Sequence, residues 1–180
     1  MWKFIKNLFR VGTHSFQKGQ PSPTKDDDIQ TKYTIRHGKS VPVDEAFEAW
    51  TSGDLPRMLR ALETKTNLID RHFLLMGIVE QTYKKRKDPS MMELCKKISK
   101  LHISEFPKIA PALKKDMEGT LPRVTTFQYY ATLLTESGDY EKAIEVCQKA
   151  LSFGLHDGTK SGFEGRIVRI KKQMSKRRNT

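Results

Sequence analysis

Apolar residues recur along most of the chain at intervals of three and four, which is the period of an α-helix. From residue 43 onward, amphipathic stretches follow one another through short turns such as Gly53-Asp54 and Asp88-Pro89. Helices joined in this way pack as antiparallel neighbours. The pattern therefore predicts an all-α domain of stacked antiparallel helical hairpins over residues 41–180, without strands.

The apolar spacing also gives the expected helices before residue 120. They are a short helix capped by Asp44, Leu55 to Leu62, a helix opened by Asp70, Met91 to Ile103, and Ile109 to Glu118. Proline has no backbone N–H and its ring clashes with the preceding turn of a helix. Pro107 and Pro111 are therefore expected to interrupt the helix that begins at Met91, with Ile109 to Glu118 as a separate, shorter helix.

The most regular pattern lies in residues 122–155. Ala131 is a small residue midway along a first helix, Gly138 makes a turn, and Asp139 opens a second helix. The second helix has one apolar stripe, formed by Tyr140, Ala143, Ile144, Cys147, Ala150 and Leu151. This segment resembles one tetratricopeptide repeat, a helix–turn–helix unit of about 34 residues. The preceding residues resemble less regular units, which gives two and a half to three hairpins.

The resemblance implies a protein-interaction module whose groove is lined by the first helix of each hairpin. Carried over to this repeat, the groove residues would be Thr125, Gln128, Thr132 and Thr135. These side chains are short and polar, so the ligand of the chaperone-tail clamp is not expected. The expected function is a non-catalytic adaptor for a protein or peptide partner, without a small-molecule substrate. The alternative is that so few irregular repeats enclose no usable groove.

Residues 163–177 predict a helix that caps the stack. Its narrow apolar stripe consists of Phe163, Ile167, Ile170 and Met174. The opposite side is basic, and the residues of a candidate anion-facing surface are Arg166, Arg169, Lys172, Lys176 and Arg177. Such a surface is either simply solvated or binds an anion such as nucleic acid. No aromatic residue for base stacking lies among these cations.

The first 11 residues form a separate amphipathic segment. One half of a helical wheel is apolar, opposite Lys3, Lys6 and Arg10, and its main contact candidates are Trp2, Phe4, Ile5, Leu8 and Phe9. This pattern predicts contact with a membrane surface or with a partner, and docking onto the chain's own fold is the alternative. Residues 12–40 are rich in Gly, Ser, Gln, Pro and Thr, which predicts a flexible linker.

The net charge of +12 sits mainly at the two ends of the chain, since residues 41–153 are nearly neutral. No stretch approaches the roughly 18 consecutive apolar residues of a membrane-spanning helix. Cys95 and Cys147 are far apart and are expected to be buried thiols of a reducing compartment. Together these features predict a cytoplasmic protein, with peripheral membrane contact as an open alternative.

No motif indicates catalysis or a cofactor. Lys160-Ser161 after Gly154 resembles a phosphate-binding loop, but such a loop must follow a strand, and a helix is expected here. The histidines show no metal-ligand spacing, so no metal is expected; they are His14, His37, His72, His102 and His156. The basic run at residues 84–87 suits a solvated helix end, with a nuclear-import or nucleic-acid patch as alternatives.

Overall fold

The computed structural model describes residues 31–36 and 38–178, and 71% of this part is helical. The prediction of an all-α fold is confirmed. In chain order the elements are β1 (Tyr33–Arg36), β2 (Lys39–Pro42), α1 (Glu45–Ser52), α2 (Leu55–Arg60), a 3-10 turn (Ala61–Glu63), α3 (Leu68–Lys84), α4 (Pro89–Asp116), α5 (Thr125–Glu136), α6 (Tyr140–Ser152) and α7 (Gly162–Arg178).

Successive helices pair as antiparallel hairpins. Helices α3 and α4 run in opposite directions, because Arg71 contacts Glu105 near one end and the carbonyl of Val79 accepts from Cys95 near the other. Between α5 and α6 the chain reverses at Gly138, whose φ of +81° favours glycine. The short helices α1 and α2 precede these two hairpins, and α7 packs against α6.

The first helices of the hairpins lie side by side and run parallel. Contacts between α3 and α5 advance together along both helices: Glu80 with Thr125, Tyr83 with Tyr129, and Arg86 with Glu136. Contacts between α5 and α7 also advance in the same direction along the chain. Arg166 donates a hydrogen bond to Thr132, and further along, Arg177 lies over Gly138, just after the end of α5. We call the surface that α3, α5 and α7 share the first-helix face.

The capping helix is present where the sequence predicts it. Phe163 and Ile170 are buried, while Ile167 and Met174 are half-buried. Within the hairpin below it, Ala131, Ala143 and Cys147 are fully buried at the closest approach of the helices. Small residues at these positions let α5, α6 and α7 pack closely around one apolar core.

Helix α4 corrects the prediction of two helices separated by prolines. It continues through Pro107 and Pro111, and both prolines are exposed. They occur four residues apart, so the carbonyls that lose their helical N–H partners lie on the outward side, where water reaches them. On the inward side, Phe106, Ile109 and Leu113 are fully buried. Burial of these side chains holds one continuous helix across both prolines.

The β-hairpin corrects a second prediction, because Tyr33–Arg36 and the first two residues of β2, Lys39 and Ser40, belong to strands and not to a flexible linker. Tyr33 pairs with Pro42 and Arg36 with Lys39 in an antiparallel register. Thr34 and Arg36 point inward and are buried, whereas Tyr33 and Ile35 are exposed. The hairpin is thus part of the packed domain. Residues 1–30 and His37 lie outside the described residues.

The start of α3 differs from the prediction that Asp70 opens this helix. Asn67 caps it instead, since its side-chain oxygen accepts from the backbone N–H groups of Ile69 and Asp70. Asp70 lies within the first turn and is 1% exposed. Its carboxylate accepts hydrogen bonds from Arg36 at 2.5 Å and from the indole of Trp50 at 3.1 Å. The residue therefore fixes the β-hairpin to the helices.

Both cysteines are buried and free, as expected from the sequence. Burial raises the pKa of the Cys95 thiol, and it raises the pKa of Cys147 to about 11. These thiols therefore stay protonated and unreactive at neutral pH. Among the helices of residues 31–178, none has the length and apolar character needed to cross a bilayer.

Candidate functional site

The predicted groove residues lie on α5, at the middle of the first-helix face. Gln128, Thr132 and Thr135 are half-buried on the outward side of this helix. Thr125 is only 3% exposed and donates a hydrogen bond to Glu80 at 3.0 Å, so it joins α3 to α5 and does not line an accessible surface. Three of the four predicted positions therefore share one partly exposed row.

A polar network fixes the side of this row that faces α7. Arg166 donates to the carboxylate of Asp157 at 3.1 Å and to the hydroxyl of Thr132 at 3.1 Å. Nearby, Arg123 donates to the side-chain oxygen of Gln128 at 2.5 Å. The two arginines come from different segments of the chain, and together they hold the Gln128 and Thr132 side chains in defined positions.

Asp157 is the buried centre of the loop between α6 and α7. It is 1% exposed and accepts from both the backbone N–H and the hydroxyl of Thr159. Burial raises the pKa of its carboxyl, but the hydrogen bonds from Thr159 and Arg166 outweigh burial, so the pKa lies below its ordinary value. This loop contains the phosphate-loop-like residues Lys160 and Ser161. It follows helix α6 and not a strand.

The five predicted anion-facing residues lie in three different environments. Arg166 points inward to Asp157, and its side chain is 17% exposed. The prediction that Arg166 belongs to an outward, anion-facing surface is therefore wrong. Arg169, Lys172 and Lys176 are exposed along one line of α7. Arg177 is exposed but lies against the turn at Gly138. The remaining basic surface is therefore a ridge of three residues, which we call the α7 ridge.

Tyr83 and Tyr129 on the first-helix face were not predicted as functional residues, and the neighbouring Arg86 was considered only as part of the basic run at residues 84–87. The rings of Tyr83 and Tyr129 stack at 14° with centroids 4.1 Å apart, across the contact between α3 and α5. The guanidinium carbon of Arg86 lies 4.2 Å from the Tyr83 centroid. Helical spacing places Tyr83 and Tyr129 at the margins of the apolar stripes of their helices, and this is the only sequence signal for them. Spacing within one helix does not predict which residues of two different helices contact each other.

A buried polar chain crosses the core beneath this face. Nδ1 of His72 lies 3.0 Å from Nε2 of His102, whose Nδ1 lies 2.7 Å from the hydroxyl of Thr126. Burial lowers the pKa of His72 to about 3, and burial followed by the charges of His72 and Arg71 places the pKa of His102 well below its ordinary value. Both rings are therefore neutral at pH 7. They join α3, α4 and α5.

The described residues contain no group of three or more His, Cys, Asp or Glu side chains that could hold a metal ion. The predicted membrane or partner contacts Trp2, Phe4, Ile5, Leu8 and Phe9 lie outside the described residues, so that prediction remains a prediction. No protein-family model, curated protein or solved structure matches this chain.

Proposed function

We propose that this chain is a non-catalytic adaptor that binds a protein or peptide partner on its first-helix face. The observation that carries the proposal is the row of half-exposed polar side chains on α5, positioned by hydrogen bonds and flanked by the Tyr83–Tyr129 stack. Side chains held in place before binding lose little conformational freedom when a partner docks. Tyrosine and arginine are also the residue types that dominate binding energy at interfaces.

The charged groups of this face support binding more than catalysis. Asp157 is neutralised by Arg166, and Glu80 accepts a hydrogen bond from Thr125. A general acid or base must reach substrate with a proton to exchange, whereas these carboxylates are engaged in fixing adjacent helices. The resemblance to a tetratricopeptide repeat, which rests on residues 122–155, independently suggests the same use of the first helices.

Blocking the face should abolish partner capture without unfolding the chain. Thr135 is suited to this because its hydroxyl bonds only the carbonyl of Ala131 in its own helix. Thr135→Trp places a large ring next to Thr132, on the same row as Gln128, and we expect at least about tenfold less partner to co-purify with tagged full-length protein. Quantitative mass spectrometry after nuclease treatment measures the loss.

The matched control is Lys149→Trp, which introduces the same ring at an exposed position of α6. It should leave capture unchanged, and both variants should keep the melting temperature within a few degrees of the parent chain. Equal capture by Thr135→Trp and the parent would refute the adaptor proposal for this face.

A second candidate function is nucleic-acid binding through the α7 ridge. Arg169, Lys172 and Lys176 share one exposed line about 10 Å long, since an α-helix rises 1.5 Å per residue. Such a row can neutralise consecutive phosphates of one strand. Aromatic residues for base stacking do not accompany it, so binding would be electrostatic and independent of sequence.

For this second candidate, a mobility-shift titration with a single-stranded oligonucleotide at about 50 and 150 mM salt is decisive. Arg169→Gln/Lys172→Gln/Lys176→Gln should weaken binding and reduce the dependence of log K on log salt by about two. Lys97→Gln/Lys100→Gln/Lys108→Gln removes equal charge from α4 and should change neither. No shift of the parent chain at the lower salt concentration would eliminate this function.

A further inference from the structure

The stack at the C-terminal end of α3 holds an arginine on a rigid support. Tyr83 and Tyr129 are 4.1 Å apart, which leaves no room between the rings, so Arg86 covers the outer side of Tyr83. Arg86 also donates to the carbonyl of Tyr83 at 3.3 Å. Its guanidinium is therefore placed by a cation–π contact and a backbone bond, and not by a strong ion pair.

Arg86 retains capacity for an anion. Its contact with Glu136 is 3.4 Å long and exposed, since 36% of the arginine side chain and 50% of the glutamate side chain are accessible. Exposed pairs of this kind contribute little and exchange readily. A guanidinium has five N–H donors in a planar fork that matches a carboxylate in a bidentate arrangement. A partner carboxylate can therefore replace or join Glu136.

Three further cations surround Arg86 at the turn between α3 and α4. Lys84, Lys85 and Lys87 are exposed, and none of their side-chain ammonium groups forms a hydrogen bond or ion pair with another residue of the described chain. The neighbouring acid, Asp88, is engaged as the cap of α4, because it accepts from the backbone N–H and hydroxyl of Ser90. The four cations of residues 84–87 outnumber the carboxylates of Asp88 and Glu136, so the local charge stays net positive.

We propose that this surface, formed by Tyr83, Arg86, Tyr129 and the lysines at 84, 85 and 87, binds an acidic segment of the partner protein. The inference rests on the adaptor proposal and names the chemistry of its partner. Carboxylates of the segment pair with Arg86 and the lysines. The half-buried Glu80, one turn earlier on α3, repels further acidic residues and so confines the acidic part to this end of the face.

The geometry favours a peptide over nucleic acid or membrane. Both sides of the Tyr83 ring are covered, so this ring offers no surface for a nucleobase to stack on. A membrane contact needs apolar side chains beside the cations. The exposed large apolar residues of the described chain lie elsewhere: Tyr33, Ile35, Leu68 and Val168. Leu68 is about 24 Å from Lys84 along α3.

Fluorescence anisotropy with purified full-length protein tests the inference. The probes are a labelled peptide of about twelve residues with alternating Glu and Ala, a matched Lys and Ala peptide, and a single-stranded oligonucleotide, at about 50 and 150 mM salt. We expect the protein to bind the acidic peptide and not the basic one, and this binding should be weaker at the higher salt concentration. Lys84→Gln/Lys85→Gln/Lys87→Gln should raise the dissociation constant about tenfold.

Arg86→Lys keeps the charge but loses the planar fork and the stacked position, so we expect about fivefold weaker binding. The control Lys97→Gln/Lys100→Gln/Lys108→Gln removes three charges elsewhere and should leave the constant unchanged. The inference would be overturned if the control weakened binding as much as Lys84→Gln/Lys85→Gln/Lys87→Gln does, or if the acidic peptide did not bind at all. It would also be overturned if the parent chain bound the oligonucleotide and the variant at residues 84, 85 and 87 did not. Each of these results can occur while Thr135→Trp still abolishes capture, which separates failure here from failure of the adaptor proposal.

Discussion

Replacing Asp70 with alanine should lower the free energy of unfolding by about 3–5 kcal/mol, because it leaves a buried guanidinium without its counter-charge. Asp70 accepts from Arg36, from the Trp50 indole and from the Asn67 amide. Arg36 is 5% exposed, so water cannot take over the role of the carboxylate. Urea unfolding followed by circular dichroism measures the change.

The double variant Arg36→Met/Asp70→Asn separates an unpaired charge from lost packing. It removes both charges and keeps an amide oxygen for Trp50, so it should be clearly more stable than Asp70→Ala. Lys32→Gln removes an exposed pair with Glu48 and serves as the control, with a far smaller effect. A cost for Asp70→Ala no larger than that of Lys32→Gln would contradict a structural role for the buried pair.

The second half of the fold could be predicted from the sequence because its signals are local. In α5, α6 and α7 the apolar stripe, the glycine turn and the small residues Ala131 and Ala143 all lie within a few turns of one another. Local patterns of this kind are detected directly from the helical period of the apolar residues. The predicted helix bounds consequently differ from the observed ones by a residue or two in this region.

The two largest errors of fold prediction arise where tertiary contacts override local preference. Pro107 and Pro111 disfavour a helix interior, yet the buried side chains on the opposite side of α4 outweigh that preference. The β-hairpin is short and polar in sequence, so its composition resembles that of a linker. Its order depends on Arg36 meeting Asp70, which is 34 residues away and invisible to any local pattern.

The candidate site shows the same limit. Gln128 and Thr132 could be placed because the resemblance assigns them to the outer side of a first helix. The Tyr83–Tyr129 stack could not, because it depends on how α3 and α5 align. Arg166 was assigned outward because the wheel of α7 alone gives no information about Asp157 in the preceding loop.

Polar contacts in the interior connect each unit of the stack to the next. Arg36 and Asp70 join the β-hairpin to α3, the two buried histidines join α3 to α4 and α5, and Arg166 with Thr132 joins α7 to α5. Apolar packing alone tolerates sliding of one helix along another, whereas hydrogen bonds satisfy only one alignment. We infer that these contacts set the alignment on which the first-helix face depends.

Acidification from pH 7 to pH 5 should destabilise the chain by about 3–4 kcal/mol through His72 and His102. Unfolding exposes both rings, which then bind protons with a pKa of about 6.5. In the folded state burial lowers the pKa of His72 to about 3 and that of His102 well below its ordinary value. The unfolded state therefore binds more protons than the folded state. The stability that the two neutral histidines contribute is present above pH 6.5 and is lost progressively as the pH falls below this value.

The contribution of the two histidines is measured by urea unfolding at pH 7, 6 and 5. His72→Leu/His102→Gln removes both rings and should lose most of the pH dependence in this range, even though its stability at pH 7 is lower. The control His156→Gln removes an exposed histidine and should keep the parent's dependence. A double variant as acid-sensitive as the parent would contradict the assignment, because carboxylates titrate mainly below pH 5. Imidazole NMR signals of the parent provide an independent measurement: the buried rings should remain neutral at pH 5.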